Sequence, residues 1–274
     1  MAIENRHIQK DAIESPDLYR IIIRIAPKRI DAAVLSAIID GSLLLSGDNT
    51  SGSLSQYEDF IYGNPVLLHP FPKSDVILQT TNYLIIPSDI PEGMYGKLLE
   101  EAFPENKESI VPVANLIPGT SSAILFGIEE NLLQFCNRAF CNPRIHSHLY
   151  TLLCFFGNHE RHGNGTRLFA NIRPDSLDIA AIEHDRILIA NTFSFKEIDD
   201  AVYYILAVRQ TIGLDSDTDE IMLCGDSATK RKLIAALRKF IPNVIPAIFP
   251  ADLFRIGKEA ITANFDQIIL PICE

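Results

Sequence analysis

Nowhere in the 274 residues is there an uninterrupted apolar run of the roughly 18–20 residues that a membrane-spanning helix needs. Cations are scarce as well. There are 24 lysines and arginines against 35 acids, for a net charge of −11. Both halves share the deficit, with 12 basic and 19 acidic residues up to Gly163, and 12 and 16 after it. Phosphate contacts need a basic surface, so a free-standing nucleic-acid binder is excluded and docking on an anionic membrane is disfavoured. Cysteine is sparse: five residues, an odd number with no tight framework of spacings. That is the usage of reduced thiols in a cytoplasmic protein, not of a disulfide scaffold. Residues 1–17 carry both charge signs and no apolar core, unlike a signal peptide. A Walker A loop is missing too, since Gly96-Lys97 has proline at position 91 where the upstream glycine belongs.

What the chain does contain is a weak internal repeat. Residues 25–35 (Ile25-Ala26-Pro27-Lys28-Arg29-Ile30-Asp31 and onward) align without gaps to residues 172–182 (Ile172-Arg173-Pro174-Asp175-Ser176-Leu177-Asp178 and onward). Proline, aspartate and most apolar positions coincide. Each copy reads as a three-stranded meander. The first strands are Leu18 to Ile25 and Arg167 to Ile172, and the second strands are Ile30 to Ile39 and Leu177 to Ile182. The third strands lie in Ser42 to Ser46 and Arg186 to Asn191. Proline ends each first strand, having no N–H for the ladder. Asp40-Gly41 and His184-Asp185 mark the hairpin turns.

After the second meander the period changes. Lys196 to Thr211 has apolar residues at helical spacing, with Ser194 as cap and Glu197 three positions on. Strands over Glu220 to Leu223 and Asn243 to Phe249 alternate with helices over Ala228 to Phe240 and Ala251 to Ala263. The first half follows the same order with insertions, through helices over Leu54 to Tyr62, Met94 to Phe103, Glu129 to Phe140 and His148 to Phe156. Glycine-rich residues 157–165 mark the boundary, giving domains 1–163 and 164–274. The expectation is an α/β protein with two β-β-β-α-β-α-β-α domains and mixed sheets.

Tandem halves of this kind resemble the actin-like ATPase superfamily, a duplicated ribonuclease H-like fold shared with sugar kinases. Leu168 to Arg173, Leu177-Asp178-Ile179, Arg186 to Phe193, Tyr203-Tyr204 with Gln210, and Ile221 to Asp226 look like an uncharacterised bacterial family with that fold. Tyr83 to Pro87 adds to the likeness. The resemblance implies nucleotide between the domains, with ATP and magnesium as candidate cofactors. It also implies a phosphate-binding turn after each first strand, with an aspartate followed by glycine. Here those turns read Ile25-Ala26-Pro27-Lys28-Arg29 and Ile172-Arg173-Pro174-Asp175, each with a rigid proline where backbone donors are needed. A third motif, a glycine-rich turn against adenosine, falls on Gly225, Asp226 and Ser227. A tight strand-to-helix turn with a capping side chain explains the same residues.

Other constellations read more blandly. Three cysteines and four histidines fall in residues 136–162, but none has common zinc spacing. Core cysteines and surface histidines are expected, with no metal site. Gly119-Thr120-Ser121-Ser122-Ala123 follows a proline and precedes a strand, the reverse of a nucleophile elbow. The acidic residues 215–220 lack the glycine and terminal glutamate of a calcium loop. Lys230, Arg231, Lys232, Arg238 and Lys239 cluster on one helix, as a solvated face or a surface for an acidic partner.

The leading expectation is thus a non-catalytic actin-like scaffold with a protein partner. The alternative is a nucleotide-binding ATPase or small-molecule kinase using the interdomain cleft, marked by an acidic residue pointing into that cleft, with Asp31, Asp175, Asp178 and Asp226 as candidates.

Overall fold

A computed structural model describes residues 13–105, 109–160, 167–183, 186–214, 220–247 and 250–273. The chain forms two compact units. One gathers residues up to Leu116, Ala123–Thr151 and Pro250–Leu270, and the other Ile117–Ser122, Leu152–Phe249 and Pro271–Glu274.

The first unit opens with a meander of β1 (Arg20–Ala26), β2 (Arg29–Leu35) and β3 (Leu44–Asn49), followed by α1 (Leu54–Tyr62) and β4 (Lys73–Leu78). Next come β5 (Tyr83–Pro87), α2 (Tyr95–Ala102), β6 (Ile110–Leu116) and β7 (Ser122–Glu129). The strands β5-β7-β6 make a separate small sheet whose core includes Ile86, Leu99, Ala123 and Leu125. Then α3 (Glu130–Phe140) and β8 (Arg144–Ser147) follow, and α4 (His148–Glu160) begins in this unit and belongs to the second from Leu152 on. The main sheet has the order β3-β2-β1-β4-β8, antiparallel through the meander and parallel from β1 onward.

The second unit repeats this plan. It holds β9 (Arg167–Ile172), β10 (Ser176–Glu183), β11 (Arg186–Ser194), α5 (Ile198–Thr211), β12 (Glu220–Gly225), α6 (Ser227–Leu237) and β13 (Val244–Pro246). Its sheet order, β11-β10-β9-β12-β13, and strand directions match those of the first. The match extends to register: Ile25 faces Ile30 as Ile172 faces Leu177, and Ile25 faces Leu78 as Ile172 faces Gly225. The expected mixed sheets are thus present, with an equivalent residue at every ladder position of the repeat.

Central strands in such sheets are buried on both faces, so apolar residues at alternate positions serve different layers. In β1, Ile21, Ile23 and Ile25 join one core with Tyr57, Phe60 and Ile61 of α1 and Phe135 of α3. In β9, Leu168, Ala170 and Ile172 pack with Ala201, Val202 and Ile205 of α5 and Leu233 and Leu237 of α6. On the opposite faces, Phe169 of β9 stacks on Phe156 of α4 at 4.5 Å, whereas β1 carries Arg20 and Arg24.

The C-terminal segment settles on the first unit. It comprises α7 (Ala251–Ile256), a short 3-10 turn (Lys258–Thr262) and α8 (Phe265–Ile269). The expected single helix over Ala251 to Ala263 is therefore broken. Gly257 breaks it, at φ 150° and ψ 148°, a conformation only glycine adopts readily. Asp40-Gly41 is not a two-residue hairpin turn either, since β2 ends at Leu35 and β3 begins at Leu44. The wider loop is closed by Ser42, whose Oγ accepts from the Ser36 N–H at 2.9 Å. Its tip receives the tail: Gly41 N–H donates to Arg255 O, and Leu43 N–H to Ile256 O, both at 2.7 Å.

The cap of α5 also differs. Ser194 ends β11 opposite Ser176, and the capping box is formed by Glu197 and Asp200. His184-Asp185 lies outside the described residues, as do 161–166 of the expected boundary.

Candidate functional site

The two turns that should cradle phosphate are short links, Pro27-Lys28 between β1 and β2 and Arg173-Pro174-Asp175 between β9 and β10. Beside each lies a buried aspartate at an equivalent place, Asp31 opposite Arg24 and Asp178 opposite Asn171. Asp178 is fully engaged. It accepts from Asn171 Nδ2 at 3.0 Å, Arg173 Nη2 at 2.9 Å and Thr192 Oγ1 at 2.8 Å, with a further bond from Arg173 Nη1. Asp31 accepts from Arg29 Nε at 2.7 Å, and the Arg24 guanidinium stands 3.8 Å from its Oδ2. Burial dominates there and raises the Asp31 pKa, despite the opposing charges of Arg24 and Arg29.

The arginines trade places between the copies. Ala26 faces Arg29 across the first turn, and Arg173 faces Ser176 across the second. A guanidinium from either strand at that pair reaches the same carboxylate, so the ion pair recurs though the sequence positions do not. The third strands adapt accordingly. Gly47 lies opposite Asp31, where a Cβ would overlap the Asp31 carboxylate and the Arg29 guanidinium. Thr192 lies opposite Asp178 and hydrogen-bonds to it.

The first copy is reinforced from the far end of the chain. Arg24 Nε donates to both oxygens of Asp266, at 3.0 and 2.9 Å, and Arg24 also reaches Gln79. Gln267 Nε2 donates to the Ile22 carbonyl at 2.7 Å. Of the four candidate acids, Asp31 and Asp178 are thus internal ion-pair partners. Asp175 is exposed at its turn and accepts from Ser176 Oγ at 3.2 Å.

The fourth, Asp226, is the N-cap of α6. Its Oδ2 accepts from Thr229 N–H at 2.8 Å and from Thr229 Oγ1 at 2.7 Å. Partial burial would raise its pKa, but these bonds outweigh it and the net shift is downward. Its N–H donates to Ile172 O at 2.7 Å, as Gln79 N–H does to Ile25 O at 2.8 Å in the first copy. Gly225 has φ 95°, and a Cβ there would overlap the Ile172 backbone and the Asn171 side chain. Ser227 is the first residue of α6. Strand pairing and helix capping thus account for glycine and aspartate at this turn.

A cluster that sequence reasoning missed centres on Asp75 of β4, which is 1% exposed. It accepts from Arg20, from Arg144 Nε at 2.9 Å and from His146 at 3.0 Å. Burial alone would raise its pKa, but the His146 hydrogen bond, the charge of Arg20 and the bonds from both arginines hold it at about 2. Contrary to expectation, His146 and His148 are buried, at 8% and 0% exposure. Three adjacent strands bring Arg20, Asp75, Arg144 and His146 together on one sheet face, which no local spacing reveals. Cys136 and Cys154 are buried as expected, and burial pushes the Cys136 thiol up to about 12. No group of three or more His, Cys, Asp or Glu placed to hold a metal occurs among the described residues.

Comparison with solved structures identifies the architecture. A Bacteroides thetaiotaomicron protein, described as having an actin-like ATPase fold and unknown function, superposes with a TM-score of 0.76 at 21% identity, over 94% of this chain and 97% of that one. A PilM-PilN type IV pilus biogenesis complex matches at a TM-score of 0.54 and 10% identity, over 93% and 98%. No curated protein matches. The fold is that of the actin-like ATPases, with two mixed five-stranded sheets and a small third one. Residues 9–244 match the family described as protein of unknown function DUF3822, and the chain belongs to that family.

Proposed function

We propose that this protein uses the actin-like fold to hold a protein partner and carries out no phosphoryl transfer. The observation that carries the reading is the state of the two turns. Phosphate cradles offer free backbone N–H groups and an acid available to a cation. Here Pro27 and Pro174 remove donors, and the nearby acids are bound to the protein's own arginines, Asp31 to Arg29 and Arg24, Asp178 to Arg173. A docking role is supported by the likeness to PilM-PilN, which is itself an assembly of proteins.

The test is a phosphate-release assay of the purified full chain with magnesium and ATP, over a temperature range in which circular dichroism shows it folded. Release at the level of buffer supports the proposal. Turnover that saturates with ATP and disappears on mutation of Asp226 overturns it and installs the kinase or ATPase alternative, with Gly225, Asp226 and Ser227 as the nucleotide contact.

A further inference from the structure

We infer that the outer face of α6 is a docking surface for an acidic peptide segment carrying an apolar side chain. This rests on the partner-binding reading above and gives that partner a chemistry. Between Ser227 and Phe240 the chain holds five cations and no acid, in a protein whose net charge is −11. Leu233 and Leu237 point into the core, which fixes the helix's rotation. Helical geometry then sets Arg231 and Arg238 along one side of the outward face and Lys232 and Lys239 along the other. Within each pair the residues are seven apart, about 10 Å along the axis. Ala228 and Ala235 lie between the two rows, and both are exposed.

The cations are not spent internally. Arg231 Nε bonds to the Ser227 carbonyl and Arg238 to the Val244 carbonyl, and no ion pair to Lys230, Arg231, Lys232, Arg238 or Lys239 occurs among the described residues. Just past the C-terminal end of α6, Phe240 is 59% exposed. A helix face with alanines along its middle, cations on both sides and an exposed phenyl ring just past its end fits a peptide whose acids reach the cations and whose apolar residue covers Phe240.

The experiment is fluorescence anisotropy with the full chain and three labelled probes at low salt. These are a 14-residue glutamate-rich peptide with two leucines, the same peptide with serines for the leucines, and a twelve-residue thymidine oligonucleotide. The leucine peptide is expected to bind tightest. The combined variant R231A/K232A/R238A/K239A should lose roughly tenfold or more, with a smaller loss at high salt. Phe240→Ser should weaken the leucine peptide alone. These side chains are exposed, and the pair K232E/K239E provides a second variant should the fourfold one unfold.

Equal losses in the control K97A/K258A would show bulk electrostatics and overturn the proposal. So would oligonucleotide binding as tight as that of the leucine peptide, which would mark a polyanion surface. Neither failure touches the phosphate-release result, so the two readings fall separately.

Discussion

Replacing Asp75 by asparagine should cut stability sharply at neutral pH and hardly at all in acid. The carboxylate sits at the centre of a buried cluster with Arg20, Arg144 and His146. Held at about 2 instead of 3.8, it contributes about 2 kcal/mol at pH 7. The variant also takes the carboxylate charge away from Arg20 and Arg144, and breaking a buried pair costs about 3–5 kcal/mol. Arg144 is 49% exposed and can turn to water, which places the expected loss near the lower end. Because the folded pKa is depressed, this contribution is complete above about pH 4 and is lost as pH falls through about 2. Urea unfolding followed by circular dichroism at pH 7, 5, 4, 3 and 2 should therefore give a gap of about 3 kcal/mol that closes to 1 or less. A gap that stays constant from pH 7 to pH 2, or a variant indistinguishable at pH 7, would refute the cluster's electrostatic role.

Asp178→Asn should cost more than Asp31→Asn, by about 1–2 kcal/mol in chemical denaturation, because it disturbs bonds to Arg173, Asn171 and Thr192. The Asp31 carboxylate is already penalised by burial. Equal costs would contradict the asymmetry. Cys141→Gly should stabilise by about 0.5–1 kcal/mol, since Cys141 holds φ 55° at the end of α3, which a melting curve would detect. Gly225→Ala should destabilise by about 2 kcal/mol or more through overlap with the Ile172 backbone, read in the same way.

How much of this was legible in the sequence depends on how far each cause reaches along the chain. The repeat at residues 25–35 and 172–182 surfaced because strand period and a chain-reversing proline are local. The structure places both copies in the same register. The α5 cap was misplaced by three residues because Ser194 and Glu197 satisfy the same local pattern as Glu197 and Asp200. Pairing of Ser194 with Ser176 in the sheet decides between them. The Gly257 break and the return of the tail were invisible for a different reason. Arg24 and Asp266 are 242 positions apart, and nothing in either neighbourhood points to the other.

The acids of the candidate site show a similar limit. Asp31 and Asp178 were correctly matched to each other, but their pairing to arginines was hidden because the arginine moves from Arg29 in one copy to Arg173 in the other. Spacing arguments look for the same residue at the same offset. A sheet lets either of two opposed positions serve one carboxylate.

The central claim is that the phosphate turns no longer receive nucleotide, and the most direct measurement is thermal unfolding of the full chain with millimolar MgATP, with ADP and EDTA as controls. A ligand selective for the folded state at 100 times its dissociation constant adds about 2.7 kcal/mol, enough to move the melting point by several degrees. The account predicts a melting point unchanged by nucleotide. A rise of several degrees that requires magnesium would contradict it.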